Sequence, residues 1–223
     1  MCAIKIGMLS IPRLGNPEVT RQLYANFGFE VFDLSRRDIG RGSFRNADIL
    51  HCPGGHHVVL SQQAIVHLKN YIHVGHGVIG ICAGAHFIAH AQLLEMDACI
   101  VRAEGIYSMR VVQKHPVVKG FRKVPRSPER KGLNPVPHSN IGRISIHRGN
   151  GGYLLPKDKS QIIATYDNDD KFAGIVAGLY GEGRVVAFSG HPYREVKYDD
   201  NLKTDPKVTT LLKNAALWCA KAF

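Results

Sequence analysis

The sequence predicts a three-layer α/β domain with a mostly parallel, flavodoxin-like sheet and helices on both faces. Short apolar runs alternate with amphipathic segments of helical length through the first 94 residues. That alternation is typical of parallel strands joined by right-handed helical crossovers. The length of 223 residues suits one domain that can bury an adequate core. We therefore expect a single domain over residues 1–223.

The first half is predicted to contain four strands and three helices. Asn16 and Pro17 form an N-cap and first-position pair for the first helix, and Gly28 ends it. Ser61 is the expected N-cap of the second helix, and the third follows the fourth strand. The expected strands are residues 3–9, 30–34, 47–52 and 76–81, and the expected helices are 17–27, 62–71 and 83–94.

The second half is expected to be less regular. Residues 114–152 are rich in proline, glycine and basic residues, and we interpret them as an irregular basic insertion. A strand is predicted at 160–166, followed by a hairpin of strands 172–180 and 184–189 around the glycines at 181 and 183. The last helix is expected to begin at Thr204 or Asp205, with Pro206 near its first position.

Composition and cysteine spacing exclude several classes of protein. The five cysteines are scattered and include no Cys-x-x-Cys pair, which argues against a disulfide framework or a structural zinc site. No segment approaches the ~20 apolar residues that cross a bilayer, and no signal peptide is evident at the start. We expect a soluble, cytoplasmic protein with no membrane contact.

The positive charge is concentrated in residues 110–148, here called the basic segment. It holds ten basic residues and one acid, and so contributes +9 of the formal net charge of +11. Such a segment can bind an anionic substrate, a nucleic acid or an acidic partner. No aromatic interleaving in it suggests base stacking, so a solvated loop is the preferred interpretation and nucleic-acid binding is not expected.

The run Gly80-Ile81-Cys82-Ala83-Gly84-Ala85 has the pattern of a nucleophile elbow, with cysteine in the nucleophile position. The tight turn between strand and helix favours small neighbours, and the amides at the helix start favour a thiolate and an oxyanion. The alternative is a buried structural cysteine at a strand end.

Three further groups complete a candidate site. His191 stands at a predicted strand end, where it can act as the base for Cys82, and Glu195 is the nearest downstream carboxylate that could orient it. The Gly54 and Gly55 pair and the amide of Ala83 can donate to an oxyanion. Alternatively, Pro53-Gly54-Gly55 is a simple turn and His191 a polar strand-end residue.

The order Pro53-Gly54-Gly55, Gly80 to Ala85 and Ser189-Gly190-His191-Pro192 resembles the class I glutamine amidotransferase-like superfamily. Asn150-Gly151-Gly152-Tyr153 makes the chain look closest to the branch found as the N-terminal domain of some biotin–protein ligases and as stand-alone proteins. The resemblance implies that Cys82 is the nucleophile and His191 the general base, with Gly55 and Ala83 in the oxyanion hole.

The acid of the family normally stands two residues after the histidine, and here that position holds Tyr193. Either the loop brings Glu195 into place, or a Cys-His dyad works alone, or activity is lost. We expect His86, Gly151, Gly152 and Tyr193 to line a substrate pocket. No cofactor is expected.

His86 and His90 lie four residues apart, on one helix face, with His56 and His57 as neighbours in the sequence. They could hold a metal, but no carboxylate partner accompanies them, so we interpret them as pocket-lining residues and expect no metal.

Two functions from different classes follow from this pattern. The leading prediction is a cysteine-dependent hydrolase or amidotransferase-like enzyme that acts on a small-molecule or peptide amide through an acyl-enzyme. Nothing in the chain resembles a nucleotide-binding loop, so transfer of ammonia would require a synthase subunit as partner. The alternative is a non-catalytic binding or regulatory module that keeps the fold.

Overall fold

One mixed sheet organises the part of the chain that the computed structural model describes, which is residues 3–10, 17–55, 59–100, 104–121, 143–149, 152–167, 169–192 and 206–223. Its eleven strands in these ranges are β1 (Lys5–Ser10), β2 (Glu30–Ser35), β3 (Ile49–Cys52), β4 (Gly77–Ile81), β5 (Met96–Cys99), β6 (Glu104–Val111), β7 (Arg143–Gly149), β8 (Tyr153–Pro156), β9 (Ile162–Tyr166), β10 (Asp169–Tyr180) and β11 (Gly183–Phe188).

Five α-helices and two short 3₁₀ turns accompany the sheet in the described ranges. The helices are α1 (Pro17–Asn26), α2 (Arg36–Gly40), α3 (Gln62–His73), α4 (Ala83–His90) and α5 (Pro206–Cys219), and the 3₁₀ turns are Pro116–Val118 and Lys159–Gln161. Ser61 caps α3 as expected, with its side chain accepting from the Ala64 amide. None of these helices is both long and apolar enough to cross a membrane.

The four strands of the first half of the chain, β1 to β4, form the parallel part of the sheet together with β11. The strands run in the order β2-β1-β3-β4-β11, and every neighbouring pair is parallel. Parallel strands end at the same edge, so the residues after β3, β4 and β11 meet there. All five residues of β4 are buried. The predicted three-layer α/β class is thus confirmed.

Helices cover both faces of this parallel half. Neighbouring residues on β4 show the division, because Ile79 packs in the cluster that includes Leu211 and Leu212 of α5. Val78 packs in the other cluster, with Leu68 of α3 and residues of α4. This alternation follows from the twofold repeat of a strand.

The start of β4 lies unusually close to α5. A side-chain carbon built on Gly77 would stand 2.5 Å from Cys219 Cβ and 2.9 Å from the Cys219 carbonyl oxygen. Glycine is therefore required there for the helix to reach the sheet.

The second half of the sheet is antiparallel and more regular than the sequence predicted. The hairpin of β10 and β11 is confirmed, and the sheet continues through β9 and β6 to β7. The expected irregular insertion at 114–152 is wrong in part, since β7 lies within it and pairs with β6 at seven positions. Strands β5, β6 and β8 and helix α2 were not predicted, and α4 ends at His90, before residue 94.

The sequence of β7 alternates apolar residues with polar and basic ones, and the basic residues are the reason that the strand was not predicted. Its apolar residues, Ile144 and Ile146, alternate with polar and basic ones, as in a strand with one buried face. The many basic residues nearby hid that alternation.

A buried histidine stands in β3, beneath α1. His51 is fully buried, and its Nδ1 lies 3.1 Å from the Tyr24 hydroxyl oxygen. Burial disfavours the imidazolium and lowers the pKa of His51 from 6.5 to about 3. The unfolded chain therefore binds a proton at pH 5 that the folded chain does not, and His51 costs stability as the pH falls below about 6.5.

Replacing His51 with Gln should make the free energy of unfolding depend less on pH in acid, because the buried imidazole that stays neutral in the folded chain is removed. Between pH 6.5 and 5 we expect the slope of unfolding free energy against pH to decrease by up to about 1.4 kcal/mol per pH unit. Urea unfolding at several pH values measures this slope, and His73→Gln at an exposed position is the control. Equal slopes for wild type and His51→Gln would contradict the expectation.

Candidate functional site

Cys82 occupies a strained turn between β4 and α4. Its backbone angles are φ 52° and ψ −110°, a region that non-glycine residues rarely adopt. The Cys82 amide donates to the Phe188 carbonyl of β11 (2.8 Å), and the Cys82 carbonyl accepts from the amides of Ala85 and His86 (3.0 and 3.1 Å). The backbone is held on both sides, while the side chain makes no capping hydrogen bond to the helix.

Two glycines allow α4 to pack closely against β3 and β4 at this turn. A side-chain carbon on Gly84 would stand 2.0 Å from the Cys52 carbonyl oxygen of β3. One on Gly80 would stand 2.5 Å from the Gly84 carbonyl oxygen and 2.6 Å from a methyl carbon of Ile88. The small residues of the motif therefore have a steric cause, which is the contact of α4 with β3 and β4.

His191 and Cys82 meet above Gly54. A side-chain carbon built on Gly54 would lie 2.6 Å from His191 Cε1, 3.2 Å from His191 Nδ1 and 3.2 Å from Cys82 Cβ. His191 is 7% exposed and Cys82 is 6% exposed. The ends of β3, β4 and β11 thus bring the three residues that the sequence selected into one place.

The predicted oxyanion donors flank this point. Gly55 has φ 123°, a conformation that favours glycine, and it follows Gly54 directly. Ala83 is the first residue of α4, where a helix leaves amides without an intrahelical partner. Their role toward an oxyanion stays a prediction.

His86 of α4 accepts a hydrogen bond from the segment before β8. The Gly152 amide donates to His86 Nε2 at 3.1 Å, and a side-chain carbon on Gly152 would stand 2.0 Å from the Cys99 carbonyl oxygen. Since Nε2 accepts this hydrogen bond, the neutral ring carries its proton on Nδ1. His86 and Gly152, two of the expected pocket residues, are therefore in contact.

A pocket of about 430 Å³ opens beside α4. It is lined by Val59, Ala83, His86, Phe87, Ala89, His90, Met96, Asp97 and Ala98. Ala83 connects it to the elbow, and His86 places a polar group in its wall. The pocket is of the size that a small-molecule ligand fills.

Several predicted site residues lie outside the described part of the chain. They are Gly151, Tyr193 and Glu195, together with His56 and His57 of the metal alternative. Among the residues that the structure describes, no group of three or more His, Cys, Asp and Glu side chains is arranged to hold a metal ion.

One residue at the site was missed by sequence reasoning. The His191 amide donates to the His147 carbonyl at 2.7 Å, and the two imidazole centroids are 6.0 Å apart. His147 belongs to β7, within the stretch that was expected to be irregular. The alternation of Ile144 and Ile146 around it was the signal that could have found it.

The other described cysteines are poorly suited to act as nucleophiles. Burial raises the pKa of the Cys52 thiol to about 12 and also raises the pKa of the Cys219 thiol. Cys99 is half-buried on β5. Among these described thiols, Cys82 alone stands beside a histidine at a strand end.

Comparison with known proteins places the fold. No family model matches the chain. A curated relative, the phosphoribosylformylglycinamidine synthase subunit PurQ of Alkaliphilus metalliredigens (strain QYMF), is 28% identical over 162 residues, which are 69% of this chain and 66% of that subunit, slightly under two thirds. Two structures from Thermotoga maritima superpose over nearly the whole chain.

The first of these, PurLQS, has a TM-score of 0.70 at 15% identity, covering 96% of this chain and 99% of the other. The second, a glutamine amidotransferase, has a TM-score of 0.61 at 12% identity, covering 99% and 100%. The chain therefore has a class I glutamine amidotransferase-like fold, as the motifs indicated. The closer resemblance to the biotin–protein ligase branch stays a prediction.

We expect Cys82 to be the first thiol alkylated by a limiting amount of iodoacetamide at neutral pH. His191 can take the thiol proton, whereas burial suppresses the thiolates of Cys52 and Cys219. Peptide mapping by mass spectrometry gives the order of labelling, and Cys82→Ser is the control that should remove the fast phase. Labelling of the buried thiols before Cys82 in folded protein would contradict this assignment.

Replacing Gly54 with Ala should separate Cys82 from His191. The new methyl group would occupy the position 2.6 Å from His191 Cε1 and push the imidazole aside. We expect alkylation of Cys82 to slow by about tenfold or more while the protein still folds. Gly40→Ala is the matched control, since nothing lies within 4 Å of the carbon it adds. An unchanged rate in Gly54→Ala would show that His191 does not activate the thiol.

Proposed function

We propose that this protein is a cysteine-dependent amidase of the glutamine amidotransferase type, which cleaves an amide C–N bond through an acyl-enzyme. The observation that carries the proposal is the placement of Cys82, at positive φ, beside His191 above Gly54. A strained nucleophile with a base at the next strand end is an arrangement suited to acyl transfer.

The chemistry assigned to these residues follows in two steps. His191 accepts the thiol proton as Cys82 attacks the amide carbon, and the amides of Gly55 and Ala83 donate to the resulting oxyanion. His191 then protonates the leaving amine, the C–N bond breaks, and a thioester remains on Cys82. Water, deprotonated by His191, hydrolyses the thioester to release a carboxylic acid.

The pocket beside α4 supports a small amide substrate. It adjoins Ala83, so a side chain bound in it would place its carbonyl at the elbow. His86 and Asp97 supply polar groups at its wall, and Phe87 and Met96 supply apolar ones. We assign substrate contacts to His86 and Gly152, and also to Gly151 and Tyr193 of the neighbouring segments.

A synthase subunit is the partner that fits this chemistry. The relative PurQ is named as a synthase subunit, and the matching structure is of PurLQS. With Cys82 and His191 assigned to hydrolysis of the amide, a second protein would use the released amine or ammonia. Apart from Arg148, which is fully buried, the basic residues of the basic segment suit an acidic surface on that partner.

Glu195 is our candidate for the residue that orients His191. The family carries its acid at the position that Tyr193 occupies here, and Glu195 lies two residues further along the chain. A carboxylate at that place holds the imidazole in the productive tautomer. If Glu195 does not reach His191, Cys82 and His191 act as a dyad with a lower rate.

A second candidate function is a catalytically inactive binding or regulatory module, as in the N-terminal domain of biotin–protein ligases. Tyr193 in place of the acid is the observation that favours it. In that case the pocket beside α4 holds a ligand without bond cleavage, and Cys82 remains as a packed residue of the turn.

Ammonia release from glutamine and from a panel of primary amides tests the enzyme proposal. We expect Cys82→Ala and His191→Asn each to lower kcat/KM by about 10³-fold or more, since these groups act as a unit. Glu195→Gln should lower it by a smaller factor if Glu195 orients His191, and Cys99→Ser should leave it unchanged.

A chloroketone analogue of glutamine provides a readout that needs no partner. Intact-mass analysis should find one adduct, located on Cys82 and absent from Cys82→Ala. If the wild-type protein neither releases ammonia nor forms this adduct, the binding module becomes the better description.

A further inference from the structure

His147 and His191 form an isolated antiparallel bridge between β7 and the segment that follows β11. The His191 amide donates to the His147 carbonyl at 2.7 Å. Residues directly opposite in an antiparallel pair project their side chains to the same side. The two imidazoles accordingly lie together, with centroids 6.0 Å apart and planes inclined by 52°. His147 is 6% exposed, so the contact is shielded from water.

The bridge depends on a close approach at Gly190. A side-chain carbon there would stand 2.8 Å from the His147 carbonyl oxygen and 3.0 Å from a side-chain carbon of Ile146. Any other residue would force the segment away from β7. The glycine before His191 is thus explained by the bridge to His147.

The strand that carries His147 is firmly anchored on its other face. Arg148 is fully buried, and its guanidinium carbon lies 3.8 Å from the centroid of the Tyr153 ring and 5.3 Å from that of Tyr107. A desolvated cation over an aromatic ring is a favourable contact. Because side chains alternate along a strand, fixing Arg148 also fixes the direction of His147.

The same aromatic cluster holds the segment that leads to His191. Arg148 lies 6.0 Å from the centroid of the Tyr166 ring, and the Tyr166 hydroxyl is hydrogen-bonded to Ser189 Oγ at 2.6 Å. Ser189 Oγ also lies 3.1 Å from the Gly174 carbonyl oxygen, to which it can donate. Both sides of the His147–His191 bridge are therefore fixed to one buried cluster.

We propose that His147 is a positioning residue for His191. Its carbonyl fixes the backbone of His191, and its imidazole limits the rotation of the His191 ring and favours one tautomer. An imidazole presents polar nitrogens to its neighbour, which a phenyl ring of similar shape does not. His147 thus supplies part of the orientation that the family obtains from an acid at the position of Tyr193. The inference rests on the proposed amidase function.

The test compares His147→Phe, which keeps the shape, with His147→Gln, which keeps a polar group. We expect His147→Phe to lower kcat for amide hydrolysis by about 10- to 100-fold with KM changed by less than about twofold, because misplacement of a base acts on the chemical step. His147→Gln should recover part of the loss. His73→Gln, which changes an exposed histidine distant in sequence from His147, is the control.

A spectroscopic readout makes the test independent of turnover. Long-range ¹H–¹⁵N correlation spectra report the tautomer of each histidine, and His191→Asn assigns the His191 signals. We expect a single tautomer for His191 in wild type and a mixture in His147→Phe. The alkylation rate of Cys82 should fall in the same variant.

If His147→Phe folds and leaves kcat, the His191 tautomer and the Cys82 rate unchanged, the inference is wrong. If His147→Phe does not fold, Gly190→Ala decides, since it strains the bridge without altering either imidazole and should reduce kcat in the same way. A wild-type protein without amidase activity would refute the proposed function, while the tautomer of His191 in the variants would still decide the role of His147.

Discussion

The backbone turn at Cys82 is the constraint on which the site depends. The fully buried strand β4 ends at Ile81, and helix α4 begins at Ala83 and packs against the same sheet. Cys82 alone makes the change from strand to helical backbone. Unusual angles such as those of Cys82 cost about 1–3 kcal/mol, and they persist where surrounding contacts fix them. Here the carbonyl of Phe188 holds the amide of Cys82, and the contact of Gly84 with Cys52 holds the helix. The fold positions the sulfur through these contacts.

The two halves of the sheet contribute differently to the site. The parallel half brings the ends of β3, β4 and β11 to one edge, which places Gly54, Cys82 and His191 together. The antiparallel half adds β7 beside His191 and leads through Gly152 to His86. Cys82 and His191 therefore come together at the shared edge of parallel strands, and their surroundings come from the antiparallel strands. The basic segment, residues 110–148, includes most of β7, so the chain itself connects it to the site.

Much of the site could be predicted from the sequence because its cause is local. The glycines around Cys82 and the strand-end position of His191 reflect steric and topological rules that act over a few residues. Local patterns do not place His147 beside His191, since this contact joins residues 44 positions apart through a bridge outside the regular strands. The alternation along β7 was present but was obscured by charged residues. The function of Glu195 depends on the path of the segment after Pro192, which local patterns do not determine.

Two different kinds of contact exclude side chains at the glycines of this chain. Gly77, Gly80 and Gly84 are required by backbone and core contacts, so they would be retained in any descendant that keeps the fold, whether or not it is an enzyme. Gly54 is different, because the atoms that exclude a side chain there belong to His191 and Cys82. Where those two residues are replaced by smaller ones, the steric restriction on position 54 disappears. Among related sequences, variation at position 54 would therefore accompany replacement of Cys82 or His191, whereas Gly77, Gly80 and Gly84 would be kept with or without them.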